Sequence, residues 1–174
     1  MSLNKLTTGT QLGAGCIVQV VHTVYSDYVE LSTVIPFDNT IPQNTEGAAL
    51  SGLDTNITPK SSSNKLLVDV NVHWASSAGS GTGVGTQVCA LFKDSEASAR
   101  AVGMSGFSYV GTGGPGGPMQ FKYMMTAGTT SQIAFTLRWG RYSGGFPGHI
   151  NGWNSAAKWG GASASTVTIW EISA

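Results

Sequence analysis

Residues able to do chemistry are few in this chain and widely spaced. His22, His73 and His149 show no H-x-H or H-E-x-x-H spacing, and Cys16 and Cys89 form no C-x-x-C pair, so the local sequence encodes no metal site. Ser105 lies in a Gly-Met-Ser-Gly-Phe run that misses the G-x-S-x-G nucleophile elbow by one position. The tract from Gly79 to Gly85 has the glycine density of a phosphate loop. It runs into the strand-like TQVCALF, however, and not into a helix whose N-terminus would hold phosphate. Acidic residues fall mostly in or beside turns, where solvated carboxylates belong, and no pair can be nominated for glycoside hydrolysis. These patterns predict a protein that is not an enzyme and carries no cofactor or metal. On strands, His22 and His73 are expected to be partly buried and hydrogen-bonded, and both cysteines to be reduced and buried as small apolar residues.

What remains is aromatic. Trp139, Tyr142, Phe146, His149, Trp153 and Trp159 gather in and around an irregular stretch from Gly140 to Gly161, longer than the roughly 15 residues beyond which loops are functional or disordered. Rings displayed by a loop on a rigid β scaffold stack on sugars or anchor protein partners, because they give large contact area at small entropic cost. The competing use is loop packing, over the end of the sandwich or between subunits.

Composition narrows the function classes. The 174 residues carry nine Lys plus Arg against nine Asp plus Glu, and only 10% are charged, less than half the roughly 25% of an average domain. Zero net charge leaves no basic field for phosphates or an anionic membrane, which argues against nucleic acid and membrane insertion as partners. No apolar run approaches the roughly 20 residues of a spanning helix, and MSLNKLTTGT lacks the apolar stretch of a secretory signal. In place of charge stand 24 glycines with many Ser, Thr and Asn. A polar but neutral surface of this kind does not repel neighbouring copies, a first hint of assembly.

The elements that would position these groups are strands. Period-two and short all-apolar runs recur between Gly, Pro, Asn and Ser, at Ile17 to Tyr25, Ala48 to Ile57, Lys65 to Trp74, Gln87 to Lys93, Arg100 to Val110, Gln120 to Met125, Ser131 to Arg138 and Ser165 to Ile172. Eight short strands predict an all-β, single-domain antiparallel sandwich or jelly roll over residues 14–174, preceded by an N-terminal arm over 1–13. Neither face of Ile17 to Tyr25 is strongly polar, so both are expected to be covered. The tracts Ser77 to Thr86 and Gly111 to Pro118 are expected to be loops. In Lys65 to Trp74 the polar set Asp69, Asn71 and His73 opposes an apolar one, and is a candidate trimer-facing surface, since a closed ring of copies would bury exposed edges.

The segment IPFDNTIPQNTEG at 35–47, followed by NITPKSSSNKLLV at 56–68, resembles a widespread family of bacteriophage virion proteins described as tail-fibre or surface domains. MMTAGTTS at 124–131 and the closing STVTIWEI at 165–172 extend the resemblance, in the family's order, over most of the chain from about Gly13. The resemblance implies a jelly roll similar to the tumour-necrosis-factor and complement-globular-head type, assembled as a homotrimer without enzymatic activity. It carries over no functional residue, because the shared motifs look like turns and strands. It implies a place in the virion, after assembly in the host cytoplasm, with capsid or tail proteins and further copies of the chain as partners.

Two roles follow from that expectation. One is a trimer that decorates or cements the capsid. The other is the receptor-binding tip of a tail or head fibre, recognising a host surface glycan or protein through the Trp-rich loop. The dozen residues before Gly13 are too few for a shaft, which favours decoration. Leu3, Leu6, Thr7, Thr8 and Gln11 are then the candidate docking arm, an extended tether along a neighbour.

Overall fold

Leu66, Val68, Val70, Val72 and Trp74 alternate with Leu67, Asp69, Asn71 and His73, and in the computed structural model the first set is buried while the second is half-exposed. The structure describes residues 13–76, 81–111, 114–142 and 145–174. The predicted docking arm, with Leu3, Leu6, Thr7, Thr8 and Gln11, lies outside the described residues. The strands are β1 (Ile17–Tyr25), β2 (Val29–Leu31), β3 (Ala48–Ala49), β4 (Thr55–Ile57), β5 (Lys65–Ser76), β6 (Gly81–Lys93), β7 (Ala101–Gly111), β8 (Gly116–Thr126), β9 (Ile133–Arg141), β10 (Gly148–Ile150), β11 (Gly152–Trp153), β12 (Ala156–Ala157) and β13 (Ser165–Ile172). Short 3₁₀ turns lie at Ser51–Leu53 and Trp159–Gly161.

Two antiparallel sheets form the sandwich. The first runs β1-β13-β5-β10-β2 with β8 on the other side of β5; the second runs β3-β9-β6-β7 with β4 also on β9. Between them pack Leu66, Val68, Val70, Val72, Trp74, Val167 and Ile169 from the first sheet and Cys89, Leu91, Ile133, Phe135, Leu137 and Trp139 from the second. The second sheet is covered on its other face too. There Ile35 meets Val88, Ala90 and Phe92, so the stretch from Gln87 to Phe92 is buried on both sides. Burial of one isoleucine side chain contributes about 2 kcal/mol, enough to pin the 35–47 segment across the sheet.

Three expectations need correction. Ala48 to Ile57 is not one strand: the 3₁₀ turn splits it, which lets Leu50 and Leu53 both point into the core. The glycine tracts carry strand where loops are expected, because β6 starts at Gly81, β7 runs to Gly111 and β8 starts at Gly116. Ladder hydrogen bonds do not need side chains, and the Phe107 ring covers Gly85 so closely that a Cβ there would come within 2.4 Å of it. Finally, β1 is covered on one face only, with Val20, His22 and Val24 exposed on the other.

The segments at 56–68, 124–131 and 165–172 meet around Glu171. Its buried carboxylate accepts hydrogen bonds from the Lys60 and Ser61 amides at 2.8 and 3.2 Å, Asn64 Nδ2 at 2.6 Å and Gln19 Nε2 at 2.6 Å. In turn, the Ala127 and Gly128 amides bond the carbonyls of Asn64 and Ser62. In the 35–47 segment, Asp38 accepts from the Thr40 amide and hydroxyl, and Arg138 donates to the carbonyls of Glu46 and Gly47.

Both cysteines are free; Cys89 is buried, but Cys16 is exposed, contrary to its expected burial. Burial pushes the Cys89 thiol far above its ordinary range. One thiol per chain is therefore expected to react with an aromatic disulfide reagent in the native protein, and the second only in denaturant. Cys16→Ser should abolish the native reaction.

Candidate functional site

Cross-strand register writes the outward face of the first sheet as rows. Val20, Trp170, Leu67 and Met124 lie side by side across β1, β13, β5 and β8. The next row is His22, Thr168, Asp69 and Lys122, and the third is Val24, Thr166, Asn71 and Gln120. Val20, Val24 and Met124 are each at least half exposed, and Ile17 and Ile172 extend the apolar row to the end where residues 13–16 join Ser173. Lys122 pairs with Asp69 and its ammonium lies 5.7 Å from the Trp170 ring centre, while His22 bonds the Thr168 hydroxyl at 2.8 Å. The candidate trimer-facing residues Asp69, Asn71 and His73 all lie on this face. Asn71 Oδ1 is buried without a partner among the described residues.

The six candidate aromatic and loop residues do not form one cluster. Trp139 is fully buried, tilted against Trp74, and donates from Nε1 to Gln87 Oε1 at 2.7 Å. The amide of Gln87 then donates to the Phe146 carbonyl at 2.8 Å, tying the loop to the sheet. Tyr142 stands edge-on to Phe37 on the far side of the second sheet's end. His149 is fully buried, and its Nδ1 lies 2.9 Å from the Tyr28 hydroxyl, which donates at 3.3 Å to Glu30. Burial lowers the pKa of His149 against the opposing pull of Glu30, which favours a neutral ring.

Gln87→Leu would leave the buried Trp139 indole N–H without its acceptor and remove the side-chain donor to the Phe146 carbonyl. A loss of about 3 kcal/mol is expected, read as a lower urea midpoint at unchanged slope.

Trp153 and Trp159, exposed like Tyr142, face solvent together at the end of the first sheet away from residues 13–16. Strands β11 and β12 form a hairpin whose two turn residues, Asn154 and Ser155, both have positive φ, as such tight turns require. Buried Asn151 fixes the hairpin's base. Its amide bonds the His73 carbonyl, its Nδ2 the carbonyls of Tyr25 and Asp27, and its Oδ1 accepts from Ser165. Gly152 lies so close to Tyr28 that a Cβ would come within 2.4 Å of the ring. Between hairpin and sheet opens a cleft of about 220 Å³, bounded by both tryptophans, His73, Ala75 and Ser163. Among the described residues, no three of His, Cys, Asp and Glu come together as a metal site.

Sequence reasoning missed Gln87, Asn151 and Glu171, the buried polar residues that fix these surfaces. The sequence matches no protein-family model, and no curated protein matches it. Among solved structures it is similar to the Eiger TNF of S. frugiperda, with a TM-score of 0.51 at 9% identity over 88% of this chain and 93% of that one. The fold is a tumour-necrosis-factor-like jelly roll. At that identity the likeness extends to the arrangement of strands alone. In this jelly roll the open rows belong to the β1-β13-β5-β8 sheet, and the Trp hairpin is carried on the connection from β10 to β13.

Proposed function

We propose that the protein is a non-enzymatic structural protein of a bacteriophage virion, a homotrimer on the particle surface that decorates or cements the capsid. The carrying observation is the open sheet face, where Val20, Trp170, Leu67 and Met124 align in a solvent-facing apolar row with Ile17 and Ile172 beside it. A contiguous apolar surface of this kind marks association, and the neutral chain raises no electrostatic barrier between copies. Packing an edge of one copy against this face of the next closes by rotation into a ring of three. Asp69, Asn71 and His73 then look toward neighbouring copies, where Asn71 Oδ1 gains a partner. The motifs at 35–47, 56–68, 124–131 and 165–172 support the virion assignment. Residues 13–16 leave the sheet at the apolar end, so the arm with Leu3, Leu6, Thr7, Thr8 and Gln11 would dock there.

The opposite end favours a second reading, a receptor-binding tip for host surface glycan or protein, because Trp153 and Trp159 are exposed there. Light scattering on the purified protein should give three times the 18.0 kDa chain mass. Adding it to particles that lack it, followed by imaging, separates the roles. Regular sites across the head establish decoration; attachment to tails or host cells alone establishes the receptor role. A monomer that binds neither overturns both.

A further inference from the structure

We infer that the cleft between Trp153 and Trp159 binds a single uncharged pyranose ring. The inference deepens the second reading above, and its test uses the isolated protein, so it can fail while particle attachment stands. It begins with a backbone outlier. Trp159 has φ +53° and is 72% exposed, so a bulky residue occupies a conformation that favours glycine without gaining burial in return. Such strain is characteristic of sites where a side chain must be displayed in one direction. Trp153 stands beside Trp159 on a firm support: the type I′ hairpin, the Asn151 anchor and the packing of Gly152 on Tyr28 hold its strand on the sheet.

The cleft's chemistry selects the ligand. Among the described residues no Asp, Glu, Lys or Arg bounds it, so no permanent charge there recognises an ion. Its volume of about 220 Å³ lies below the roughly 300 Å³ at which drug-sized pockets begin, which suits one ring and excludes an extended chain. The walls are indole, the floor is Ala75 and glycine backbone, and the polar groups are His73 and Ser163. The His73 backbone is held by the Ser165 hydroxyl and the Asn151 amide, while its imidazole has no partner among the described residues. A pyranose matches this set. Its axial C–H groups pack on an indole face, and its equatorial hydroxyls reach the imidazole and the serine. A purely apolar ligand would leave both polar groups unpaired.

The test follows the five indole N–H resonances of the ¹⁵N-labelled protein during titration with methyl β-galactoside, methyl α-glucoside, methyl α-mannoside and N-acetylglucosamine. At least one sugar should shift two indole signals, those lost in Trp153→Phe and Trp159→Phe, at millimolar concentration. Trp159→Ala should weaken binding about tenfold or more, and Trp159→Phe should retain part of it, since the phenyl face still stacks. His73→Ala and Ser163→Ala should each weaken it, the latter without moving the mass in sedimentation. No shift with any of the four sugars overturns the inference. So does a titration unaltered by Trp159→Ala, or dissociation of the oligomer by Trp153→Ala or Trp159→Ala, which would make these rings subunit contacts.

Discussion

Replacing Glu171 with leucine is expected to remove about 4 kcal/mol of stability, a large part of what a domain of this size has. The carboxylate is the common acceptor for two backbone amides and two side-chain amides, contributed by the 56–68 segment and by β1. Leucine fills the space but accepts nothing. The amides of Lys60 and Ser61 and the Asn64 side chain are then left without their acceptor, whereas Gln19 Nε2 keeps the Thr58 carbonyl. Glu171→Gln should cost about half as much, because one end of its amide still accepts while the other turns a donor toward donors.

The same site makes a pH prediction of definite sign. Burial alone would raise the Glu171 carboxyl, but the hydrogen bonds from Asn64, Gln19, Lys60 and Ser61 outweigh it and hold the group below the ordinary glutamate value. A carboxyl depressed in the folded state contributes stability that is present above the unfolded value, near pH 4.3, and is lost as pH falls through the folded one. The stability gap between the parent and Glu171→Gln should therefore be constant from pH 7 to about 5 and narrow below pH 4. Urea midpoints across that range measure it. A gap that widens on acidification would mean that the carboxylate is not the stabilised form.

The strands were legible because their signal is local. The β-branched, largely apolar run Ile17 to Tyr25 and the alternation in Ser165 to Ile172 place β1 and β13 at their observed ends, and the polar and apolar faces of β5 separate as its sequence implies. What was not legible depends on partners far along the chain. Strands β2, β10, β11 and β12 have two or three residues each, too few to show a period. They exist because longer strands or a tight turn hold them.

The polar anchors were hidden for the same reason. Glu171 falls in phase with Val167 and Ile169 on the buried face of β13, but nothing local shows what would satisfy a carboxylate there, since its donors lie 107 to 152 positions away. Gln87 opens a strand read for its apolar residues, yet it joins Trp139 to the Phe146 loop. The aromatic residues near 140–161 looked like one set because they are neighbours in sequence. Strand geometry separates them: Trp139 points into the core from β9, His149 is covered by Tyr28, Tyr142 is exposed beside Phe37, and the hairpin and the 3₁₀ turn after it carry Trp153 and Trp159 to solvent at another end. Positive φ at Trp159 has no sequence signature beyond the glycines that follow it.

The open face supplies the second large expected effect: Val20→Glu combined with Leu67→Glu should turn the proposed trimer into monomers while leaving the fold intact. Both residues lie in the apolar row, Val20 half exposed on the outer strand and Leu67 beside Trp170, so each carboxylate can remain in water in the isolated chain. In the assembly each would have to be desolvated against an apolar neighbour without a matching cation, at a cost of several kcal/mol per site. Two such sites recurring at three interfaces exceed what an interface of ordinary size can offset. Met104→Glu is the control. Met104 is 58% exposed, more than Val20, but stands on β7 in the other sheet, so it loses as much exposed apolar surface without touching the row. Sedimentation should give one chain mass for the double variant and three for the control, with matching far-ultraviolet spectra and a cooperative melt for both, the monomer's lower by the lost association. A double variant that keeps the trimer mass would show that association uses another surface, and the rows of β1, β13, β5 and β8 would lose their assigned role.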